Sequence, residues 1–259
     1  MIPRKIHYFW IGGNPKPESV LYCIESWKKY CPDYEIIEWN EINYDFTKNE
    51  YMRQAYEAKK WAFVTDYARL DIIYTYGGIY FDTDVELIKP LDSVLNYNGF
   101  MGFDQTTEKD HYVATGLGFG MEPRHQILRE MMADYEKMQS NREGGAIKYV
   151  PCPYLNTQVL RRYGLENEDR DQMIQNIMVF ASDVLCPKSY NTLQLRITER
   201  TLSIHHFDGT WQDSREKRRH QMTTEINRFF GVKAGSIINK GLGNIEYFVQ
   251  AVKGKLKRR

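Results

Sequence analysis

The chain has 259 residues, of which 42% are hydrophobic and 27% charged, as in an ordinary soluble protein long enough to bury a sizeable core. Its net charge of +1 excludes a uniformly basic nucleic-acid-binding protein, and no apolar run approaches the length of a membrane-spanning helix or a signal sequence. The four cysteines show no C-x-x-C spacing, which favours free thiols in a reducing compartment.

The first forty residues predict the start of an α/β sheet. The apolar run "KIHYFWIGG" is typical of a buried strand that stops at a glycine turn. Pro17 then opens a helix in which Val20, Ile24 and Trp27 recur at helical spacing, and "YEIIEW" at 34–39 predicts a second strand. Strand, helix and strand in this order are typical of a βαβ unit, so we expect an α/β fold.

A third strand follows a helix that ends in paired glycines. Residues 58–76 predict the helix, and Gly77 and Gly78 end it, because a glycine just past the last turn adopts a left-handed conformation without a Cβ clash. The run "IYF" then predicts a central strand buried on both faces. Ligands bind beyond the carboxyl ends of strands in open α/β sheets, which is where Asp82 and Asp84 fall.

This D-x-D pair has a counterpart in the chain that serves as a comparison. Asp169 and Asp171 form a second D-x-D inside the charge run "LENEDRDQM", where we expect a solvated face. Carboxylate oxygens suit a hard cation such as Mg²⁺ or Mn²⁺, which often binds one or two carboxylates together with phosphate oxygens of a substrate. The position at a strand end therefore favours metal binding for Asp82 and Asp84 alone.

Two further groups of residues carry chemistry whose role the spacing leaves open. Asp66 and Arg69 lie on one helical face and form either a surface ion pair or a pair that projects towards the D-x-D. In "SIHHFDGTW" at 203–211, His205 and His206 point to opposite faces of a predicted strand, so at most one of them faces a given site, and a structural hydrogen bond is the alternative role. Trp211 either covers a ligand or packs in the core.

The remaining segments carry less information about function. Glycine-punctuated strands are predicted at 99–105 and 115–122, an amphipathic helix at 123–138, a short helix in "LNTQVLRRYG" and a late strand in "IMVFASDVL". The run "TGLGFG" is not the dinucleotide-binding fingerprint. The C-terminal "NIEYFVQAVKGKLKRR" predicts either an amphipathic helix on an anionic membrane or a solvated basic tail.

Taken together, these motifs resemble glycosyltransferase family 32. The resemblance is carried by "IPRKIHYFWIGG", "TDYARLDIIYTYGGIYFDTDVELIKPLD" and "IHHFDGTW". The family includes yeast initiating mannosyltransferases, α-1,4-galactosyltransferases and bacterial capsule enzymes, with the clostridial glucosylating toxins as distant relatives. It implies the A-type glycosyltransferase (GT-A) fold, a Rossmann-like mixed α/β sheet flanked by helices.

The resemblance also implies a division of the chain and roles for its residues. It implies a single domain over 1–259, with a nucleotide-sugar-binding part at about 1–95 and 203–213, an acceptor-side region at about 100–200 and a basic C-terminal helix at about 240–259. Of the paired histidines, His206 matches the late metal ligand, and His205 stays the alternative. The implied residues are Asp66, Arg69 and Asp82 for catalysis, Trp10, Tyr80, Asp82 and Trp211 for the nucleotide-sugar, and Asp84, His206 and Asp82 for the metal.

The implied activity is a metal-dependent, retaining transfer of a hexose from a nucleotide diphosphate sugar. The expected cofactors are Mn²⁺ or Mg²⁺ and a UDP-hexose, favoured over GDP-mannose. The expected acceptor is a glycan or lipid-linked oligosaccharide in capsular polysaccharide biosynthesis, with no nucleic-acid partner. We expect a cytoplasmic protein, peripheral at the inner face of the plasma membrane. The alternatives are a metal-dependent phosphohydrolase or nucleotidyltransferase and a non-catalytic glycan-binding protein.

Overall fold

The computed structural model describes residues 1–105, 110–138, 142–143, 146–147, 149–210 and 214–256. The chain forms two compact units, which are Met1–Lys188 with Leu195–Trp211, and Ser189–Gln194 with Gln212–Arg259. The predicted assignment of donor-side and acceptor-side regions within one domain stays a prediction.

The first unit alternates between strands and helices. Its strands in the described ranges are β1 (Lys5–Phe9), β2 (Glu35–Trp39), β3 (Gly78–Tyr80), β4 (Val85–Leu87), β5 (Gly99–Gly102), β6 (Phe119–Met121), β7 (Arg142–Glu143), β8 (Ala146–Ile147), β9 (Gln172–Ile174), β10 (Ile177–Phe180) and β11 (Ser203–His205). Its helices there are α1 (Glu18–Tyr30), α2 (Glu50–Glu57), α3 (Trp61–Tyr76), α4 (Gln126–Met138), α5 (Cys152–Arg162) and α6 (Ser182–Leu185). The second half of the predicted strand "IMVFASDVL" forms α6 instead, and α2, β4 and β7–β9 were not predicted.

Seven strands form one mixed sheet in the order β2-β1-β3-β6-β5-β10-β9. β1 is parallel to β2 and β3, and β5 is parallel to β10, whereas β6 runs antiparallel between β3 and β5. Alternate residues of the strands enter two separate hydrophobic clusters, with Phe9 and Tyr80 in one and Tyr8 and Ile79 in the other. Helices α2–α5 contribute to the first cluster and α1 and α6 to the second, so helices cover both faces. The predicted α/β class, with a mixed sheet flanked by helices, is confirmed.

The junction between α3 and β3 aims the D-x-D segment. Gly77 follows the last turn of α3 with φ 64° and ψ −170°, so it has the positive φ that favours glycine but not the predicted left-handed helical conformation. The buried imidazole of His7 bonds the Gly77 carbonyl at 3.0 Å, and its Nδ1 accepts a hydrogen bond from Trp39 Nε1 at 3.1 Å. Burial lowers the pKa of His7 to about 4, so this histidine is neutral and ties β1, β2 and the start of β3 together.

A second, two-stranded sheet pairs β4 with β11 in antiparallel register. Ser203 lies opposite Leu87 and His205 opposite Val85, and the backbone N–H of His206 donates to the Asp84 carbonyl at 2.9 Å. Because β4 directly follows the D-x-D, this pairing carries a segment from more than a hundred residues away to the carboxyl end of β3.

The second unit contains the long helix α7 (Ser214–Leu256), which is interrupted at Gly231, where φ is 76° and ψ 157°. The predicted C-terminal helix lies within α7 up to Leu256. A Cβ built on Gly235 would collide with Asn227 Oδ1, so glycine lets the two halves of α7 approach closely. Asn227 also donates to the Asn191 carbonyl at 3.0 Å. Among the described residues, no helix is both long enough and apolar enough to span a bilayer.

Candidate functional site

The guanidinium of Arg69 forms the centre of a buried charge cluster. Arg69 lies on α3 and is almost completely buried, as is Asp66 one turn before it. Its Nη2 lies 3.3 Å from Asp66 Oδ1 and 3.3 Å from Asp82 Oδ1, and Thr65 accepts two further hydrogen bonds from the same side chain. A buried charge without partners costs several kcal/mol, so two carboxylates and Thr65 fix this guanidinium in one position. The pair is therefore not a surface ion pair.

Asp82 is oriented by groups from three elements. The Tyr80 hydroxyl donates to Asp82 Oδ1 at 2.8 Å, and the Tyr80 ring lies 5.1 Å from the Arg69 guanidinium carbon. The backbone N–H of Asp82 donates to the Gly116 carbonyl at 3.3 Å. A Cβ on Gly116 would collide with Asp82 Oδ2 and lie 3.0 Å from an Arg69 nitrogen. Glycine at this position of "TGLGFG" is thus what lets the loop before β6 approach the two charged side chains.

Asp66 is buried where polar groups of α3 and α5 meet. Burial raises the pKa of Asp66 to about 6, although Arg69 opposes the shift, and the Cys152 thiol is its hydrogen-bond partner. Asn156 donates to the Thr115 hydroxyl at 3.1 Å in the same region. Burial raises the pKa of Cys152 well above its usual value, so the thiol stays protonated. Asp66 is therefore a carboxylate whose charge the surroundings only partly compensate.

Asp84 is bound on one oxygen by the last residue of β11 and on the other by the segment that follows this strand. His205 Nε2 lies 3.1 Å from Asp84 Oδ1, and the backbone N–H of Asp208 donates to Asp84 Oδ2 at 3.0 Å. Phe207 and Gly209 on either side have positive φ, at 59° and 53°, and this turn directs the Asp208 N–H inward. Burial opposes the charge of Asp84, but His205 and these hydrogen bonds lower its pKa to about 2.

Asp82, Asp84 and His205 bring three potential metal ligands together. One ligand atom from each of them lies within 4.8 Å of the others. Two carboxylates and an imidazole are a donor set that divalent transition ions such as Mn²⁺ accept. Nδ1 of His205 is buried and has no hydrogen-bond partner, which leaves one nitrogen of the ring unsatisfied. The residues therefore fit a divalent cation.

His206 lies on the opposite face of the same segment, as the alternation along a strand requires. Its Nε2 bonds Glu86 Oε2 at 2.9 Å, and the Tyr22 hydroxyl donates to the other oxygen of Glu86 at 2.7 Å. The structure thus places His205, and not His206, beside Asp84. The histidine beside Asp84 is therefore the one that the sequence analysis gave as the alternative metal ligand, and the identity of the ligand stays a prediction.

Residues 17–101 match the family model "Glycosyltransferase sugar-binding region containing DXD motif". This confirms the predicted resemblance. The matched range contains Asp66, Arg69, Tyr80, Asp82 and Asp84, and we refer to it as the DXD region. His205 and Gly116 lie outside it, and the three-dimensional structure alone connects them to it.

Proteins similar to this chain include named glycosyltransferases. It is 29% identical to inositol phosphoceramide mannosyltransferase 1 of Schizosaccharomyces pombe, over 52% of this chain and 43% of that protein. It is 30% identical to the human α-1,4-N-acetylglucosaminyltransferase, over 52% of this chain and 33% of that protein. The chain therefore spans less than half the length of these two relatives. A solved structure titled PaToxG glycosyltransferase matches 62% of this chain and 69% of its own, with 19% identity and a TM-score of 0.48.

Three further residues, Trp10, Tyr80 and Trp211, were predicted to bind the nucleotide-sugar. Trp10 is half-buried, and its Nε1 donates to the Asn14 carbonyl at 2.6 Å, so its predicted contact with a nucleotide stays a prediction. Trp211 lies outside the described residues. Tyr80, by contrast, is part of the charge cluster through its bond to Asp82.

The second D-x-D is exposed, as expected, but it has a structural role. Asp169 accepts hydrogen bonds from the backbone N–H and the hydroxyl of Ser182, at the start of α6. Asp171 accepts from the Ala181 N–H at 3.0 Å and forms an ion pair with Arg200. No third ligand atom accompanies this pair in the metal-ligand groups of the described residues. It lies outside the DXD region and anchors a helix start instead.

Proposed function

We propose that this protein is a metal-dependent glycosyltransferase that transfers a hexose, with retention of configuration, from a nucleotide diphosphate sugar to a glycan or lipid-linked oligosaccharide. In this reaction the bond between the anomeric carbon and the β-phosphate oxygen breaks, and the nucleoside diphosphate leaves. The acceptor hydroxyl oxygen bonds the anomeric carbon, and its proton passes to the departing diphosphate. The observation that carries the proposal is Arg69, which is buried within the DXD region between Asp66 and Asp82, while Asp82 also clusters with Asp84 and His205.

The charges of the site explain why a cation belongs there. Asp66, Asp82 and Asp84 outnumber Arg69 and His205, so the cluster is not positive and on its own repels a diphosphate. A divalent cation, Mn²⁺ or Mg²⁺, held by Asp82, Asp84 and His205 would supply the positive charge that a departing diphosphate needs. Arg69 holds the Asp82 carboxylate in place, and the Cys152 thiol does the same for Asp66.

The paired histidines offer a matched test of the metal site. We expect His205→Ala to weaken Mn²⁺ affinity at least about ten-fold, because it removes one of three clustered ligands. His206→Ala is expected to leave Mn²⁺ affinity unchanged, because His206 bonds Glu86 on the other face. Calorimetric titration of Mn²⁺ into each purified variant measures both affinities. Equal losses in the two variants, or a loss in His206→Ala alone, would contradict the assignment.

The finer identity of the substrates rests on resemblance. We propose a UDP-hexose as donor, with GDP-mannose as second choice because one relative is named a mannosyltransferase. Assembly of capsular polysaccharide is the proposed setting, and the proposed location is the cytoplasm, at the inner face of the plasma membrane. The side chains of 240–259, where the sequence predicts a basic helix against that membrane, lie outside the described residues.

A thermal-shift screen against UDP- and GDP-sugars, with and without Mn²⁺, tests the donor and metal together. We expect stabilisation that requires both a nucleotide-sugar and the ion, since mass action raises the melting temperature only for ligands that bind the native state. Product analysis with glycan acceptors then separates the classes of reaction. Diphosphate cleavage or nucleotidyl transfer without a new glycosidic bond would favour the hydrolase or nucleotidyltransferase, and no binding of any donor would favour a glycan-binding protein.

A further inference from the structure

The second unit exposes large apolar side chains at the interruption of α7. Phe229 is 86% exposed and Phe230 63%, and both come immediately before Gly231. Beyond the interruption, Ile237 is 75% exposed, and Ile238 next to it is also open to solvent. Full burial of one such side chain is worth about 1.5–3 kcal/mol, so four of them in one short segment are unusual unless a partner covers them. We call this group the apolar corner.

The backbone at the apolar corner explains why these side chains stay exposed. Gly231 has φ 76°, and nothing lies within 4 Å of where its Cβ would be, so the chain turns there in open space. The close approach of Gly235 to Asn227 holds the beginning of the second half of α7 against the first half. Phe229 and Phe230 therefore lie at a turn between two helical segments, and their rings are largely exposed to solvent.

The charge of the chain is divided unequally, and the apolar corner lies in its basic part. Residues 214–259 contain 12 of the 35 lysines and arginines but 3 of the 34 acidic residues, a net charge of +9 that leaves −8 for residues 1–213. Lys217, Arg218, Arg219 and Arg228 lie on the same helical segment as the two phenylalanines. Apolar side chains next to a dense positive charge are the combination that binds the interface of an anionic bilayer.

We infer that the apolar corner inserts into the interface of an anionic phospholipid bilayer while the neighbouring lysines and arginines bind the headgroup phosphates. A nucleic-acid duplex would satisfy the charges, but its bases are already stacked on one another, so it would leave Phe229, Phe230 and Ile237 without an apolar environment. The acidic remainder of the chain is repelled by such a surface, so the attraction comes from this segment. The inference does not depend on the proposed transfer reaction.

Vesicle flotation with the full chain tests the inference. We expect binding to phosphatidylcholine vesicles that contain about a third phosphatidylglycerol, and weak binding to phosphatidylcholine alone at about 0.1 M salt. Phe229→Ser with Phe230→Ser should lower partitioning at least about ten-fold. Ile42→Ser is the matched control, because Ile42 is 95% exposed in the first unit, and it should bind like the wild type. The wild type, the double serine variant and Ile42→Ser should all show the same donor-induced thermal shift.

Fluorescence quenching distinguishes insertion of the apolar corner into the bilayer from binding by charge alone. In Phe229→Trp, lipids brominated on their acyl chains should quench additional tryptophan fluorescence, whereas Ile42→Trp should show no quenching beyond the wild type. Vesicle binding that both serine substitutions leave unchanged, or the absence of additional quenching in Phe229→Trp, would overturn the inference. Preferential binding to duplex DNA over anionic vesicles would overturn it as well.

Discussion

Asp84→Asn is expected to abolish metal-dependent binding of the donor and to lower transfer by about 10³-fold. The substitution removes the carboxylate that is one of the three potential metal ligands and that also pairs with His205. Stabilisation of a leaving group by a metal ion is worth several kcal/mol, and each 1.36 kcal/mol corresponds to a factor of ten in rate. Thermal shift with donor and Mn²⁺, and single-turnover transfer at saturating donor, measure the two effects.

The same substitution also affects stability, so a control is needed. The pKa of Asp84 is lowered to about 2 from 3.8, and its stabilising contribution is therefore present above the unfolded pKa and lost as the pH falls towards 2. At neutral pH, Asp84→Asn should cost up to about 2 kcal/mol. Asp171→Asn, in the other D-x-D, should also cost stability, because Asp171 anchors Ala181 and Arg200. Asp171→Asn should nevertheless leave donor binding intact. An Asp84→Asn protein that keeps metal-dependent donor binding would contradict the metal assignment.

The parts of the fold that could be predicted are those set by local sequence. The run of β1, α1 and β2 follows from apolar periodicity and from Pro17, and the α3–β3 junction follows from the paired glycines. These features depend on residues close together in the chain. The position of Asp82 and Asp84 beyond β3 followed from the same local pattern together with the general rule for open sheets.

The parts that could not be predicted depend on register and on long-range approach. Alternation along β11 predicted that His205 and His206 point in opposite directions, but the choice between them depends on how β11 pairs with β4, and a shift of one residue would exchange their faces. The three residues of β4 are too few to show a period. Gly116 lies in "TGLGFG", which gives no sign of its role, because that role arises only where the loop before β6 approaches Asp82.

The two D-x-D segments show the limit of a motif more directly. Both consist of aspartates that accept hydrogen bonds, and the difference lies in what surrounds them. Asp82 and Asp84 have a buried guanidinium, an imidazole with an unsatisfied nitrogen and a tyrosine hydroxyl nearby. Asp169 and Asp171 have the start of a helix and an exposed arginine. The motif selects candidates, and the neighbouring charges decide between them.

Asp66→Asn is expected to stabilise the protein at neutral pH while it impairs transfer. The folded-state pKa of Asp66 is raised to about 6 from 3.8, chiefly by burial. A raised carboxyl pKa means that the ionised Asp66 destabilises the native state above pH 6, and that protonation removes this penalty as the pH falls from about 6 to about 4. Asparagine removes it at every pH, so the gain in unfolding free energy at pH 7.5 should be about 1–3 kcal/mol.

The pH dependence distinguishes this cause from a general packing effect. In urea unfolding from pH 4 to pH 8, the difference between Asp66→Asn and the wild type should be largest at high pH and close to zero near pH 4. Asp71→Asn is the matched control on the same helix, and it should lower stability, because Asp71 accepts hydrogen bonds from Tyr44 and Lys48. Transfer should fall at least about a hundred-fold in Asp66→Asn, since the carboxylate beside Arg69 is lost. If Asp66→Asn instead destabilised the protein at pH 7.5, Arg69 would fully compensate the buried charge of Asp66. Asp66 would then be a structural partner of Arg69, and not a carboxylate that is kept for catalysis at a cost in stability.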